Sequence, residues 1–388
     1  MRIVVVNLAY DASAPDADAL LSRYHSLTGW CEALAAAGTD VAAVQRFHSD
    51  AEVARRGVVY RLYDDGRFGR RRPPLWSAAC HRLVARVNPD LVHINGLGFP
   101  AQTWALRRVL TERTAIVVQD HASGAPTRLA ISPAQVIGRF VRRRLMRSAD
   151  GFFFTAAAQA DCWRRTGLIH PRKAVYQVLE ASTSVKPILR AVARRETGIE
   201  GDPAVLWVGR LNANKDPLTV LDGFERCLDR LSSATLSMIF GADDLLTEVR
   251  NRVDRSPALT ARVRLLGRIA QDRMAAYYSA ADVFVAGSHH EGSGYALLEA
   301  CACGVPPVVT DIPAFRAITG NGAIGALWPS DDVRALADAL VRVSATGRLE
   351  ARERVLEHFD RELSWPAIAR AARDAYSDAC ARRRRESA

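Results

Sequence analysis

No apolar run in the 388-residue chain approaches the roughly 20 residues that a membrane-spanning helix needs; the first, Ile3 to Val6, is only strand length. An integral membrane protein is excluded on that pattern. With no leader-like segment at its start, the chain is expected in the cytoplasm, at most peripheral to the inner face of the membrane. A disulfide framework is missing too: the 7 cysteines (Cys31, Cys80, Cys162, Cys227, Cys301, Cys303, Cys380) are odd in number and scattered, as reduced thiols are. Cys301 and Cys303 lie two apart in a helical segment and face away from each other, which argues against a metal or redox pair. No G-x-x-x-x-G-K-S/T sequence occurs, so a P-loop nucleotide site is disfavoured. Gly320-Asn321-Gly322-Ala323-Ile324-Gly325 does match G-x-G-x-x-G. It follows a short helix and precedes a short strand, the reverse of a dinucleotide fingerprint, and reads as a plain turn.

What is present is an ordinary globular composition, 49% hydrophobic and 24% charged. The length suits two domains of roughly 100 to 200 residues each. The formal charge of +11 is concentrated at Arg70 to Arg72, Arg139 to Arg147 and Arg382 to Arg385. These clusters lack interleaved aromatics and match no nucleic-acid motif, so nucleic acid is not expected as a partner. Anionic lipid headgroups or phosphate-bearing substrates suit them better. The plain alternative is a solvated basic face.

Strands and helices alternate along the whole chain, the pattern of doubly wound parallel sheets. In the first half, strands are expected at Arg2 to Val6, Val41 to Gln45, Leu91 to Ile94, Ala115 to Gln119, Gly151 to Thr155 and Val175 to Leu179. One helix is expected from Arg23 to Ala37, and Tyr60 to Pro74 reads as a basic loop. Residues 1–185 form the expected N-terminal domain. Residues 186–203, with two prolines and little periodicity, read as a linker. Residues 204–365 form the C-terminal domain, with a helix capped by Ser330 and Asp331. A last helix occupies residues 366–388.

The chemistry gathers in the second half. Asp282 to Asp311 reads as a buried strand, a polar loop with His289, His290 and Glu291, a helix carrying Glu299, and a second strand. Polar residues collected where strand meets helix mark the ligand end of a parallel sheet. Arg210 and Lys215 leave another strand five residues apart, two cations suited to a diphosphate. Gly292, Ser293 and Gly294 open the helix with free backbone N–H groups and the positive end of its dipole. Glu299 is placed to accept hydrogen bonds from vicinal hydroxyls, as of a ribose, and Glu291 to meet those of a sugar. His289 and His290 read as loop residues, lacking metal-ligand spacing with a carboxylate.

VGRLNANKDPLTVLDGF, FGADD, LLGRI, AADVFV and EGSGYALLEACACGVPPVVTD, in that order, resemble the motif series of the family 4 retaining glycosyltransferases of the GT-B fold. Glu291 and Glu299 match the paired glutamates of that family's E-x7-E signature. The likeness is close over residues 205–345 and loose before them. It implies an α/β GT-B architecture, two Rossmann-like doubly wound parallel-sheet domains facing a cleft. The N-terminal domain would bind the acceptor, the C-terminal domain the nucleotide sugar, and the last helix would cross back to the N-terminal domain.

By the same resemblance, Arg210 and Lys215 bind the donor diphosphate, Glu299 the ribose and Glu291 the hexose. Gly294, Tyr295 and Ala296 contact sugar or phosphate, the backbone at Arg268 and Ile269 faces the base, and His121 lies near the transferred sugar. His93 reads as structural. The sequence departs from the pattern at Asn7-Leu8-Ala9-Tyr10, where a glycine pair is usual, and at Asp216, where a glycine is usual after the lysine. The implied reaction is retaining hexose transfer from a nucleotide diphosphate sugar to an acceptor glycan, glycolipid or small molecule. No cofactor or metal is implied, the sole Asp-x-Asp pair being Asp16 and Asp18 in an N-terminal loop. A nucleotide-sugar epimerase or hydrolase of the same fold is the alternative enzyme, and a basic binding protein without catalysis the alternative outside enzymes.

Overall fold

Strand β1 (Arg2–Asn7) is apolar from Ile3 to Val6, and in the computed structural model all four of these side chains are buried. An unbroken apolar run is what a strand covered on both faces requires. Ile3 and Val5 pack with Trp30, Leu34, Ile368 and Tyr376, while Val4 and Val6 pack on the other side with Val84 and Leu106. The structure describes residues 1–66, 73–121 and 133–387. Its contacts divide into one unit of Met1–Ala181 with Trp365–Ala388, and another of Ser182–Ser364.

The first unit is built on β1 with β2 (Asp40–Arg46), β3 (Ala51–Arg55), β4 (Val58–Tyr63), β5 (Leu91–Asn95), β6 (Ala115–Gln119), β7 (Gly151–Phe154) and β8 (Ala174–Gln177). They form an eight-stranded sheet in the order β3-β4-β2-β1-β5-β6-β7-β8. The pairs are parallel except β3 with β4. The final helix, Trp365–Ser387, lies in this unit and packs on the helix His25–Ala36. Gly29 makes that approach possible, because a Cβ there would overlap the ring of Trp365. Trp30 Nε1 donates to Tyr376 Oη at 2.9 Å, and Tyr376 Oη meets His93 Nδ1 at 2.5 Å. His93 is fully buried, and burial first, the charge of His121 second, push its pKa down to about 3. A neutral ring packed among Trp30, Phe153 and Tyr376 is structural.

Several local expectations need correction. Tyr60 to Pro74 is not all loop: Val58–Tyr63 is a strand whose Tyr60, Leu62 and Tyr63 are buried while Arg61 reaches out to Glu52 at 3.0 Å. Its partner β3, AEVAR, is a half-exposed edge strand too polar to be read as one. The helix expected from Arg23 to Ala37 runs from His25 to Ala36, and a further short helix, Ala17–Arg23, precedes it across Tyr24. Within the expected linker, Arg190–Thr197 is a helix of the second unit, where Arg190 and Arg194 pair with the buried Asp282 at 2.8 and 2.7 Å. The helix Val333–Ser344 is capped by Asp332, whose Oδ1 accepts from Ala335 N at 2.9 Å, rather than by Ser330 and Asp331. Arg70 to Arg72 lie outside the described residues.

The second unit carries β9 (Ala204–Gly209), β10 (Thr235–Phe240), β11 (Val263–Gly267), β12 (Val283–Ala286), β13 (Pro307–Thr310) and β14 (Ala326–Trp328). They form a six-stranded, wholly parallel sheet in the order β11-β10-β9-β12-β13-β14. The chain runs outward from β9 to β11, then returns to place β12 on the other side of β9. The carboxyl ends of β9 and β12 therefore flank a topological switch point, where open α/β sheets leave a crevice for ligands.

Candidate functional site

Both strands at the switch point end in loops that are tied together. Asn212 accepts from Lys215 N at 3.2 Å and folds Ala213–Lys215 into a single 3₁₀ turn. Asp216 follows in the left-handed region, φ 42°, and its Oδ1 accepts from Thr219 N at 3.3 Å to cap the helix Pro217–Cys227. A glycine would hold that backbone at less cost; the aspartate adds the cap. From this turn Asn214 reaches the loop after β12 three times. Its side chain donates to His290 O and accepts from His290 N, both at 3.1 Å, and its carbonyl accepts from His289 N at 2.9 Å. Gly287 lets the backbones close up, since a Cβ there would stand 3.1 Å from Asp216 O.

The clamp brings Lys215 and Glu291 together. Lys215 Nζ pairs with Glu291 Oε1, the side chains being 19% and 13% exposed, and Ser288 Oγ donates to the same oxygen at 2.7 Å. Ser288 is held in turn by Thr310 Oγ1, which donates to its carbonyl at 2.5 Å. A charged pair so little exposed keeps much of its attraction. Arg210, just after β9, is exposed; its carbonyl accepts from Asn212 N at 2.8 Å, and its side chain makes no ion pair among the described residues.

Beyond Glu291, Gly294 (φ 62°) caps the helix Tyr295–Ala302 without a side-chain hydrogen bond. A side chain at Gly294 would be strained by that φ and would also meet Ile318 at 2.9 Å. Tyr295 and Ala296, both half-buried, begin the helix, where the dipole favours an anion. One turn on, Glu299 Oε1 accepts from Gln271 Nε2 at 2.7 Å. Tyr278, fully buried, has its pKa raised by burial first and by the charge of Glu299 second. Arg268, exposed, and Ile269, half-buried, follow β11 at the same carboxyl edge.

His289 is not isolated from carboxylates, contrary to the expectation from spacing. Its Nε2 lies 3.8 Å from Asp216 Oδ2 and 3.9 Å from Asp331 Oδ1. Asp331 arrives from the loop after β14, 42 positions away in the chain as numbered, which spacing within one motif does not reveal. Among the described residues these three form a group close enough to hold a metal ion, their donor atoms all lying within 4.8 Å of one another.

His121 belongs to the first unit, directly after β6. Its Nδ1 lies 2.5 Å from Glu180 Oε2, the glutamate being 2% exposed and the histidine 34%. Burial depresses the His121 pKa, but the hydrogen bond and charge of Glu180 and the charge of Asp120 outweigh it, and the value is raised. Sequence reasoning missed three supports: Asn214, Gln271 and Glu180. Only Glu180 carried a signal, as the first residue of a polar cluster after the apolar run Val175 to Leu179.

Residues 202–346 match the family described as glycosyl transferases group 1, and residues 26–176 match glycosyltransferase family 4. The chain is 34% identical over 133 residues to the mannosylfructose-phosphate synthase of Agrobacterium fabrum, covering 32% of this chain and 29% of that protein. It is 24% identical over 301 residues to the GDP-mannose:cellobiosyl-diphosphopolyprenol alpha-mannosyltransferase of Xanthomonas campestris, covering 77% of each. Several relatives, the mannosylfructose-phosphate synthase among them, are matched over less than half of their length. Among solved structures, Anabaena HepE in complex with UDP superposes with a TM-score of 0.70 at 15% identity, covering 97% of this chain and 100% of that one.

Proposed function

Because the chain belongs to the group 1, or family 4, glycosyltransferases and has the GT-B fold of two parallel-sheet α/β units, we propose that it transfers a hexose from a nucleotide diphosphate sugar to an acceptor hydroxyl. The setting would be glycan, glycolipid or cell-envelope polysaccharide synthesis. The observation that supports this most is the meeting of Lys215 and Glu291, 76 positions apart, at the β9/β12 switch point.

In this reading Arg210 and Lys215 take the diphosphate, with the helix start at Gly294, Tyr295 and Ala296 as a third source of positive potential. When the donor binds, Lys215 turns from Glu291 toward phosphate, and Glu291 is released to the hexose hydroxyls. Glu299, steadied by Gln271, holds the ribose, and the backbone at Arg268 and Ile269 faces the base. His121, held by Glu180, is assigned by family resemblance to the transferred hexose.

Charge builds on the diphosphate as the glycosidic bond breaks, and fixed cations that meet it there lower the barrier more than they tighten ground-state binding. The proposed chemistry is retaining: the acceptor hydroxyl attacks from the face the diphosphate leaves. It is also proposed to run without a metal, the diphosphate charge being met by Arg210, Lys215 and the helix start. The relative from Xanthomonas campestris is named for a diphosphopolyprenol acceptor, and a lipid-linked acceptor is the class we propose here.

Turnover of nucleotide sugars labelled in the hexose tests the reading. A labelled hexose found on an acceptor with its anomeric configuration kept supports it. Free hexose or an epimerised donor as sole product would replace it with the hydrolase or epimerase alternative.

A further inference from the structure

The helix Pro133–Met146 carries most of the basic cluster Arg139 to Arg147, and its outward face is divided along its length. Over the first turns Val136, Ile137, Phe140 and Val141 are 55%, 64%, 68% and 47% exposed. At 100° per residue these four fall on one side. Further along the same side come Arg143, Arg144 and Arg147, all exposed. The inner side is differently employed. Arg139 donates to Thr166 O at 2.9 Å, Arg142 donates to Leu97 O at 3.1 Å and lies over the Trp163 ring, and Met146 is buried.

Four large apolar side chains facing water on one helix are a cost that a solvated basic face would not incur. Isolated exposed hydrophobics elsewhere, such as Leu349 at 76%, do not form such a group. The order, apolar first and basic behind, suits a bilayer surface: apolar side chains enter the acyl boundary while arginines meet headgroup phosphates. No helix among the described residues is long and apolar enough to cross a membrane, so the contact is a surface one. The helix follows β6, so it begins at the carboxyl edge of the first sheet, the edge from which His121 also emerges.

We propose that the outward face of the helix Pro133–Met146 is a docking surface for an anionic bilayer, entered by Ile137 and Phe140 and held by Arg144 and Arg147. The occupant is a lipid surface because the exposed charge is all of one sign and sits beside the apolar group, which complements anionic headgroups over hydrocarbon. The inference deepens the transferase reading by placing a lipid-linked acceptor beside the same sheet edge, and it rests on that reading only for this last step.

Sedimentation of the full chain with vesicles tests it. The protein is expected to pellet with equimolar phosphatidylglycerol and phosphatidylcholine, and to stay in solution with phosphatidylcholine alone. The double variant Ile137→Asp, Phe140→Asp is expected to abolish pelleting. Arg144→Gln with Arg147→Gln is expected to weaken it about twenty-five-fold, from about fivefold per neutralised arginine, and Leu349→Asp to leave it unchanged. Wild-type protein remaining in solution, an apolar double variant that pellets normally, or a self-associating face indifferent to vesicles overturns the proposal. Thermal stabilisation by nucleoside diphosphates, measured on each variant, keeps the two readings apart. A chain that gains stability from nucleotide but ignores vesicles loses the docking surface and keeps the donor site.

Discussion

The two units put polar residues at the carboxyl edge of a parallel sheet to different use. In the second, Lys215 and Glu291, both expected to meet a ligand, are paired across the β9/β12 switch point, Asn214 joins the same two loops, and Glu299 is steadied by Gln271 from the segment after β11. In the first, the edge carries His121 against the buried Glu180, and the outlying feature is an exposed apolar helix face. One unit has a preorganised charged site; the other has a surface with its apolar side chains unspent. The contrast fits a division in which a small charged donor is held by fixed groups and an acceptor is met at an interface.

That comparison is broken most directly by the site with the largest expected effect. Glu291→Ala is expected to lower hexose transfer about 100- to 1,000-fold, the scale of losing one preorganised polar contact, while the midpoint of urea unfolding stays close to wild type. Transfer within a few fold of wild type would remove Glu291 from the chemistry. Next in size is Asn214→Ala. Losing its two side-chain bonds to His290 is expected to cost about 1–2 kcal/mol of loop positioning, read as a KM for donor raised about tenfold with the fold intact. An unchanged KM would mean that the loops hold their places without the clamp.

The first unit supplies a pH prediction. His93 is buried with its pKa lowered to about 3, so the folded state takes up its proton far less readily than the unfolded chain. The stability tied to its neutral ring is fully present above about 6.5 and is lost as pH falls from there toward the folded value, by at most about 1.4 kcal/mol per pH unit. Unfolding free energies across that window should show a shallower acid slope in His93→Gln than in wild type; equal slopes would reassign the acid sensitivity to other groups. The smallest expected effect is that of a chelator, which should leave hexose transfer unchanged. Loss of transfer on chelation, restored by a divalent cation, would turn attention to Asp216, His289 and Asp331.

How much of this was legible in the sequence depended on distance along the chain. Central strands such as β1 and β6 announce themselves as short apolar runs, and the segments after β9 and β12 carry Arg210, Lys215, Glu291 and Glu299 within recognisable motifs. The edge strand β3 was illegible, because a half-exposed strand has no need to be apolar. The short helix Ala17–Arg23 was missed because its seven residues are too few to show a clear period. The supporting residues were hidden for another reason: Gln271 and Glu180 act on partners 28 and 59 positions away, Glu299 and His121, and only folding brings them together. The outward set of Val136, Ile137, Phe140 and Val141 looks like any helix core in sequence; exposure is a property of the fold alone.

The central claim is that the β9/β12 switch point is a diphosphate site built on Lys215. Its most direct test is thermal unfolding of wild type and Lys215→Ala with UDP, GDP, ADP and dTDP. At about 100 times its dissociation constant a bound nucleotide should stabilise wild type by about 2.7 kcal/mol. At least one of the four is expected to do so, and none is expected to stabilise Lys215→Ala to a comparable degree. Equal stabilisation of both proteins by the same nucleotide would contradict the assignment.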